Sequence, residues 1–97
     1  MNLDSVKIDT IKSYFQTQAV MQAYLFGSYV RGEANDDSDV DILVELDYNE
    51  QIGLHFIQMK LDLELLLKTK VDLVSSKGVS KYLLPDINKE KLLLYAK

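Results

Sequence analysis

The chain has no cysteine, one histidine, one proline and four glycines in 97 residues. Without cysteine, neither a disulfide nor a thiolate metal site is available. It has no long apolar run either: the greasiest stretch, LDLELLL, is short, carries two acids and cannot span a bilayer. The opening MNLDSVKIDT contains acids and no apolar segment, so it does not read as a secretory signal. These absences point to the cytoplasm and away from a membrane. Positive charge is also scarce, with 11 Lys and Arg against 15 Asp and Glu and a net charge of −4. A protein that grips a nucleic-acid backbone by charge is usually basic, so direct nucleic-acid binding is not expected. A polyanion can still be held locally where divalent cations sit between it and the acids.

What is present fits one small domain, residues 1–97, with a modest core. No internal repeat, low-complexity tract or linker interrupts it. Leu3, Val6, Ile11, Tyr14 and Phe15 recur at helical spacing, which predicts a helix over 3–18. QAYLFG, 22–27, reads as a buried strand ended by glycine, and 28–33 as one or two helical turns. SDVDILVEL, 38–46, alternates as a strand does. Val40, Ile42, Val44 and Leu46 share one face, and Asp39, Asp41, Leu43 and Glu45 the other.

A long helix is expected over about 50–68, with apolar residues spread widely enough to suggest burial on two sides. Met59 and Phe56 read as core residues, and His55 as a surface or partly buried histidine without a second metal-type ligand nearby. KVDLVS, 70–75, reads as a strand. The end of the chain is expected to be a broken helix, interrupted at Pro85 and capped again by Asp86. The fold class is therefore α/β or α+β, a small mixed sheet of three or four strands covered by helices.

Two acids set into an apolar strand need an explanation. Residues i and i+2 of a strand point the same way, roughly 6.5–7 Å apart, so Asp39 and Asp41 would aim at one region. Unpaired, they repel each other and resist desolvation. A divalent cation removes that penalty, and short acids suit Mg²⁺ or Mn²⁺, which also take phosphate oxygens. Two such ions clamp the attacking and leaving oxygens of a phosphoryl or nucleotidyl transfer. An isolated D-x-D more often just covers the solvent face of an edge strand. A calcium loop starting at Asp37 is excluded, because its required glycine is Ile42 and its twelfth residue is Tyr48.

The residues before the acids favour phosphate chemistry. Gly27 ends a strand and lets a phosphate approach the backbone, and Ser28 opens a helix whose first N–H groups are free. The Ser28 hydroxyl can donate to a phosphate oxygen or cap the helix. Arg31, one turn on, can reach the same phosphates or form a surface ion pair.

Gly27-Ser28, ten residues, then Asp39-x-Asp41, within FGSYVRGEANDDSDVDILVEL, resembles the G-S-x10-D-x-D element of the minimal nucleotidyltransferases, in the DNA polymerase β-like superfamily. The resemblance extends over nearly the whole chain in the order of its elements. It implies a third acid, matched by Asp72 in KVDLVS, acting as a metal ligand or as base for the acceptor hydroxyl. It implies ATP as substrate, bound at Gly27, Ser28 and Arg31, and two Mg²⁺ ions held by Asp39, Asp41 and Asp72. Short members of the family are typically antitoxins paired with HEPN-type RNase toxins. The implied activity is AMP transfer to a toxin hydroxyl, a tyrosine by expectation, within a hetero-oligomer.

Two rival readings compete with this one. The chain could neutralise a partner by blocking it, without catalysis, or modify a small hydroxylated molecule such as an aminoglycoside. The apolar residues of 50–68, YLL and LLLY are compatible with a partner surface, although covering the sheet accounts for most of them. Lys68, Lys70, Lys77 and Lys81 read as a solvated basic scatter.

Overall fold

The computed structural model describes residues 3–35, 37–47 and 55–97. Helix α1, Ser5–Phe15, begins where Asp4 caps it, its Oδ1 accepting from the Lys7 N–H at 2.8 Å. Strand β1, Val20–Phe26, follows, then a single helical turn, α2, Ser28–Arg31, and strand β2, Val40–Leu46. Helix α3, His55–Leu67, leads to β3, Val71–Ser75, and helix α4, Leu84–Glu90, leads to β4, Leu92–Ala96.

The four strands form one sheet in the order β3-β2-β1-β4. β1 is antiparallel to both β2 and β4, while β2 and β3 are parallel and joined by the α3 crossover. This topology brings the end of β1 and the starts of β2, β3 and β4 to the same edge of the molecule.

Strand alternation decides which face is packed. Val40, Ile42, Val44 and Leu46 of β2, Ala23 and Leu25 of β1, and Val71 and Leu73 of β3 join one core. Ile11 and Phe15 of α1 and Met59, Leu63 and Leu67 of α3 close over it. Burying each large side chain contributes about 1.5–3 kcal/mol. The two covering helices are also tied at the rim, where the Tyr14 hydroxyl donates to Asp62 Oδ2 at 2.6 Å. Burial and the Asp62 carboxylate push the Tyr14 pKa upward, so the phenol keeps its proton.

Four expectations change. The end of the chain is not a broken helix: Pro85 sits in the first turn of α4, and 92–96 is a strand paired with β1. Proline has no N–H to offer and fits a helix start, where none is needed. Asp86 is a first-turn acid, not the cap, which is Leu83. Helix α3 buries one stripe, Met59, Leu63 and Leu67, and leaves Ile57, Leu61, Leu65 and Leu66 exposed. The part of the expected helix over 50–54 lies outside the described residues. Strand β2 starts at Val40 rather than 38. The Ser38 N–H donates to the Asn35 carbonyl and its hydroxyl accepts from the Asn35 N–H, so the chain turns there and joins β3 only when the Val40 N–H reaches the Lys70 carbonyl.

Candidate active site

The corner where the strands converge carries the sequence-derived residues. β1 ends at Phe26, directly opposite Asp41 of β2, and Asp41 in turn is in register with Asp72 of β3. Asp41 and Asp72 are thus cross-strand neighbours on the face away from the helical core. Asp39 stands just ahead of β2, exposed, and not in the ladder with Asp41. It is still close enough for its charge to act on Asp41. Burial, then the charges of Asp72 and Asp39, push the Asp41 carboxyl up to about 6, with Arg31 pulling it down and Glu90 adding a smaller push.

Gly27 turns the chain at φ 79 and ψ −152, a conformation closed to ordinary L residues. A Cβ there would sit 2.1 Å from Asp41 Oδ2, so glycine is what lets the Asp41 carboxylate lie against the turn. Gly27 is also the N-cap residue of α2, and no side chain caps that helix. The capping role open to Ser28 is therefore not the one it takes. A helix of four residues has little macrodipole, so it does less for an anion than the sequence alone suggests. The donors the turn offers are specific ones. Val30 and Arg31 N–H groups bond back to the Gly27 carbonyl, while among the described residues those of Ser28 and Tyr29 have no partner.

Arg31 forms the surface ion pairs that were one of its two readings. Its Nε meets Glu33 Oε2 at 3.2 Å, and its Nη1 meets Glu90 Oε1 and Oε2 at 3.2 Å each. Glu90 is the residue the sequence did not single out. It ends α4, with Lys91 alone between it and β4, and its Oε1 also accepts the Gly27 N–H at 2.9 Å. The antiparallel pairing of β4 with β1 brings it there, so the missed strand hid it.

On the β3 side of the acids lies a polar hollow of about 340 Å³, lined by Asp37, Ser38, Asp39, Lys68, Thr69 and Lys70. A larger hollow of about 570 Å³ near Val6, Tyr14 and Leu66 has one acid, Asp9, and lies away from this corner. The smaller one takes in Asp39. His55 is exposed, as read.

The acids fit a hard divalent cation. All are carboxylates, and the raised Asp41 pKa reflects burial first and then the charges of Asp72 and Asp39, which Arg31 offsets only in part. Among the described residues, no three such side chains are grouped closely enough to hold a metal ion as they stand. Oxygen donors beside a turn with free N–H groups and an arginine suit a triphosphate.

Comparison with known proteins decides the class. The family model Polymerase beta, Nucleotidyltransferase matches residues 9–97. The chain belongs to the polymerase β nucleotidyltransferase family. It is a nucleotidyltransferase, of the minimal kind that the spacing of Gly27-Ser28 and Asp39-x-Asp41 resembles. It is 44% identical over 72 residues to the protein adenylyltransferase MntA of Thermococcus cleftensis, covering 70% of this chain and 72% of that one. It is similar in structure to a toxin–antitoxin solved with AMP-PNP, at TM-score 0.76 and 25% identity, over 98% of this chain and 75% of that one. A second solved structure, provisionally named a minimal nucleotidyltransferase, is 32% identical with TM-score 0.77, over 90% of this chain and 88% of that one. The mixed four-stranded sheet with its helices is the nucleotidyltransferase fold.

Proposed function

We propose that this nucleotidyltransferase is an antitoxin that transfers AMP from ATP to a hydroxyl, a tyrosine by expectation, of a HEPN-type toxin partner in the cytoplasm. One observation carries the reading: Asp41 lies in register with Asp72 and packs its carboxylate against Gly27, so acid cluster and phosphate turn form one corner. The protein adenylyltransferase name of the Thermococcus relative and the AMP-PNP held by the toxin–antitoxin structure support the substrate and the setting. We read residues 1–97 as a single domain, since all four strands share one sheet.

In this proposal the β- and γ-phosphates lie at the Gly27 turn, taking the Ser28 and Tyr29 N–H groups, the Ser28 hydroxyl and the free edge of Arg31. The α-phosphorus then faces the acids, and the acceptor enters from the β3 side, opposite the leaving pyrophosphate. The acceptor oxygen forms a bond to the α-phosphorus as the bond from that phosphorus to the β-phosphate's bridging oxygen breaks. Pyrophosphate departs, and the acceptor proton passes to a carboxylate, with Asp72 nearest the entering side. Asp39, Asp41 and Asp72 would hold two Mg²⁺, which would supply charge stabilisation at the transferring phosphoryl group. Exposed Ile57, Leu61 and Leu65 of α3, with Tyr82 and Leu83, supply apolar surface for a protein partner.

The experiment is incubation with α-labelled ATP, Mg²⁺ and a HEPN partner. Label on the partner that vanishes with Asp39→Asn or Asp41→Asn supports catalysis. A partner inhibited without label would instead support steric blocking.

A further inference from the structure

We infer that Glu90 is a positioning residue of the phosphate-binding corner, holding the Gly27 turn and Arg31 together from the end of α4. The inference rests on the proposed placement of the triphosphate at that turn. One carboxylate serves both groups: Oε1 takes the Gly27 N–H at 2.9 Å and Nη1 of Arg31 at 3.2 Å, and Oε2 takes the same Nη1 at 3.2 Å. Its side chain is only 25% exposed, against 64% for Glu33, so it is the better shielded of the arginine's two partners.

The consequence for Arg31 is orientation. Its Nε is taken by Glu33 and its Nη1 by Glu90, and among the described residues Nη2 has no partner. A long, half-exposed side chain is thereby fixed with one donor edge free. Fixing it in advance removes the rotamer entropy that phosphate binding would otherwise cost. The consequence for Gly27 is local. Its positive φ is an unusual state of the backbone, and the N–H is held by a side chain 63 residues away in sequence. Glu90 therefore couples the end of the chain to the turn.

The test compares Glu90→Ala, Glu90→Gln, Arg31→Ala and the Glu90→Gln/Arg31→Ala double variant. The probe is a fluorescent ATP analogue with Mg²⁺, and thermal unfolding checks that each variant folds. Glutamine keeps an oxygen for the Gly27 N–H but gives up the charge on Arg31, so it stays informative if alanine does not fold. Losing charge-assisted bonds should weaken binding about tenfold for Glu90→Ala and about threefold for Glu90→Gln. In the Arg31→Ala background, Glu90→Gln should cost no further affinity, a coupling that general destabilisation would not produce. Binding in both Glu90 variants equal to or tighter than wild type overturns the inference, as does a Glu90→Gln loss that multiplies with that of Arg31→Ala. Failure of the wild-type protein to bind the probe sinks the functional reading and this inference with it. A wild type that binds alongside unaffected variants sinks the inference alone.

Discussion

The two faces of β2 differ most where Asp41 stands, although Leu43 on the same face is as buried as the core side. Val40, Ile42 and Val44 on one face are fully buried under α1 and α3. Asp41, on the other face, is half-buried, crowded by Asp72 and Asp39 and pressed against Gly27. The first face stabilises the fold by removing apolar surface from water. The second works against it, because charge is gathered where the folded chain alone offers little to neutralise it. Under the proposed function that contrast sets stability against activity within one strand, and substitutions on the two faces should separate them in measurement.

The largest expected effects lie in opposite observables. Asp41→Asn should lower AMP transfer by about a hundredfold or more, read as label on the partner, while leaving the protein folded. Leu63→Ala, on the core face of α3 and 0% exposed, should lose about 2–5 kcal/mol in denaturant unfolding and keep transfer per folded molecule. A core substitution that abolished transfer without loss of stability would break the comparison.

Gly27→Ala sits where the two demands meet. It imposes a side chain at positive φ and pushes Asp41 aside. It should cost at least about 1–2 kcal/mol and abolish transfer together, measured by unfolding and by labelled ATP.

A smaller effect sharpens the sign. The folded pKa of Asp41, about 6, lies above the ordinary 3.8. The folded state thus holds the proton more tightly than the unfolded chain, and stability falls as pH rises between those values and stays lower above them. The group is half-exposed, so solvent screening limits the deficit to about 1 kcal/mol. Asp41→Asn should therefore raise the unfolding temperature at pH 7.5 by about 4–8 °C and change it little at pH 4.

The smallest expectation concerns Lys68, which follows the end of α3 at φ 55, a left-handed conformation that favours glycine. Lys68→Gly should gain up to about 1 kcal/mol in denaturant unfolding.

The apolar face was legible because alternation with period 2 is written directly into VDILVEL. The acids were legible because carboxylates in such a strand demand a reason. The position of Asp39 outside the ladder was not, since the Asn35–Ser38 turn that delays pairing depends on side-chain hydrogen bonds. Strand β4 was missed because LLLYA carries no alternation and follows a helix without a glycine. A continuous apolar run fits a helix as well as a strand. Glu90 was hidden with it, since only the β1–β4 pairing brings the end of α4 beside Gly27, the residue after β1. The apolar spread of α3 misled for a related reason: composition counts apolar residues but does not say which of them the fold leaves in water.

The central claim is that the acid corner and the Gly27 turn act as one site for a metal-bound triphosphate. The most direct measurement is a crystal structure of the protein grown with Mg²⁺ and a non-hydrolysable ATP analogue. The account expects Mg²⁺ ligated by Asp39 and Asp41, and the β- and γ-phosphates against Ser28 and Arg31. A triphosphate bound elsewhere, or magnesium that touches neither aspartate, would contradict it.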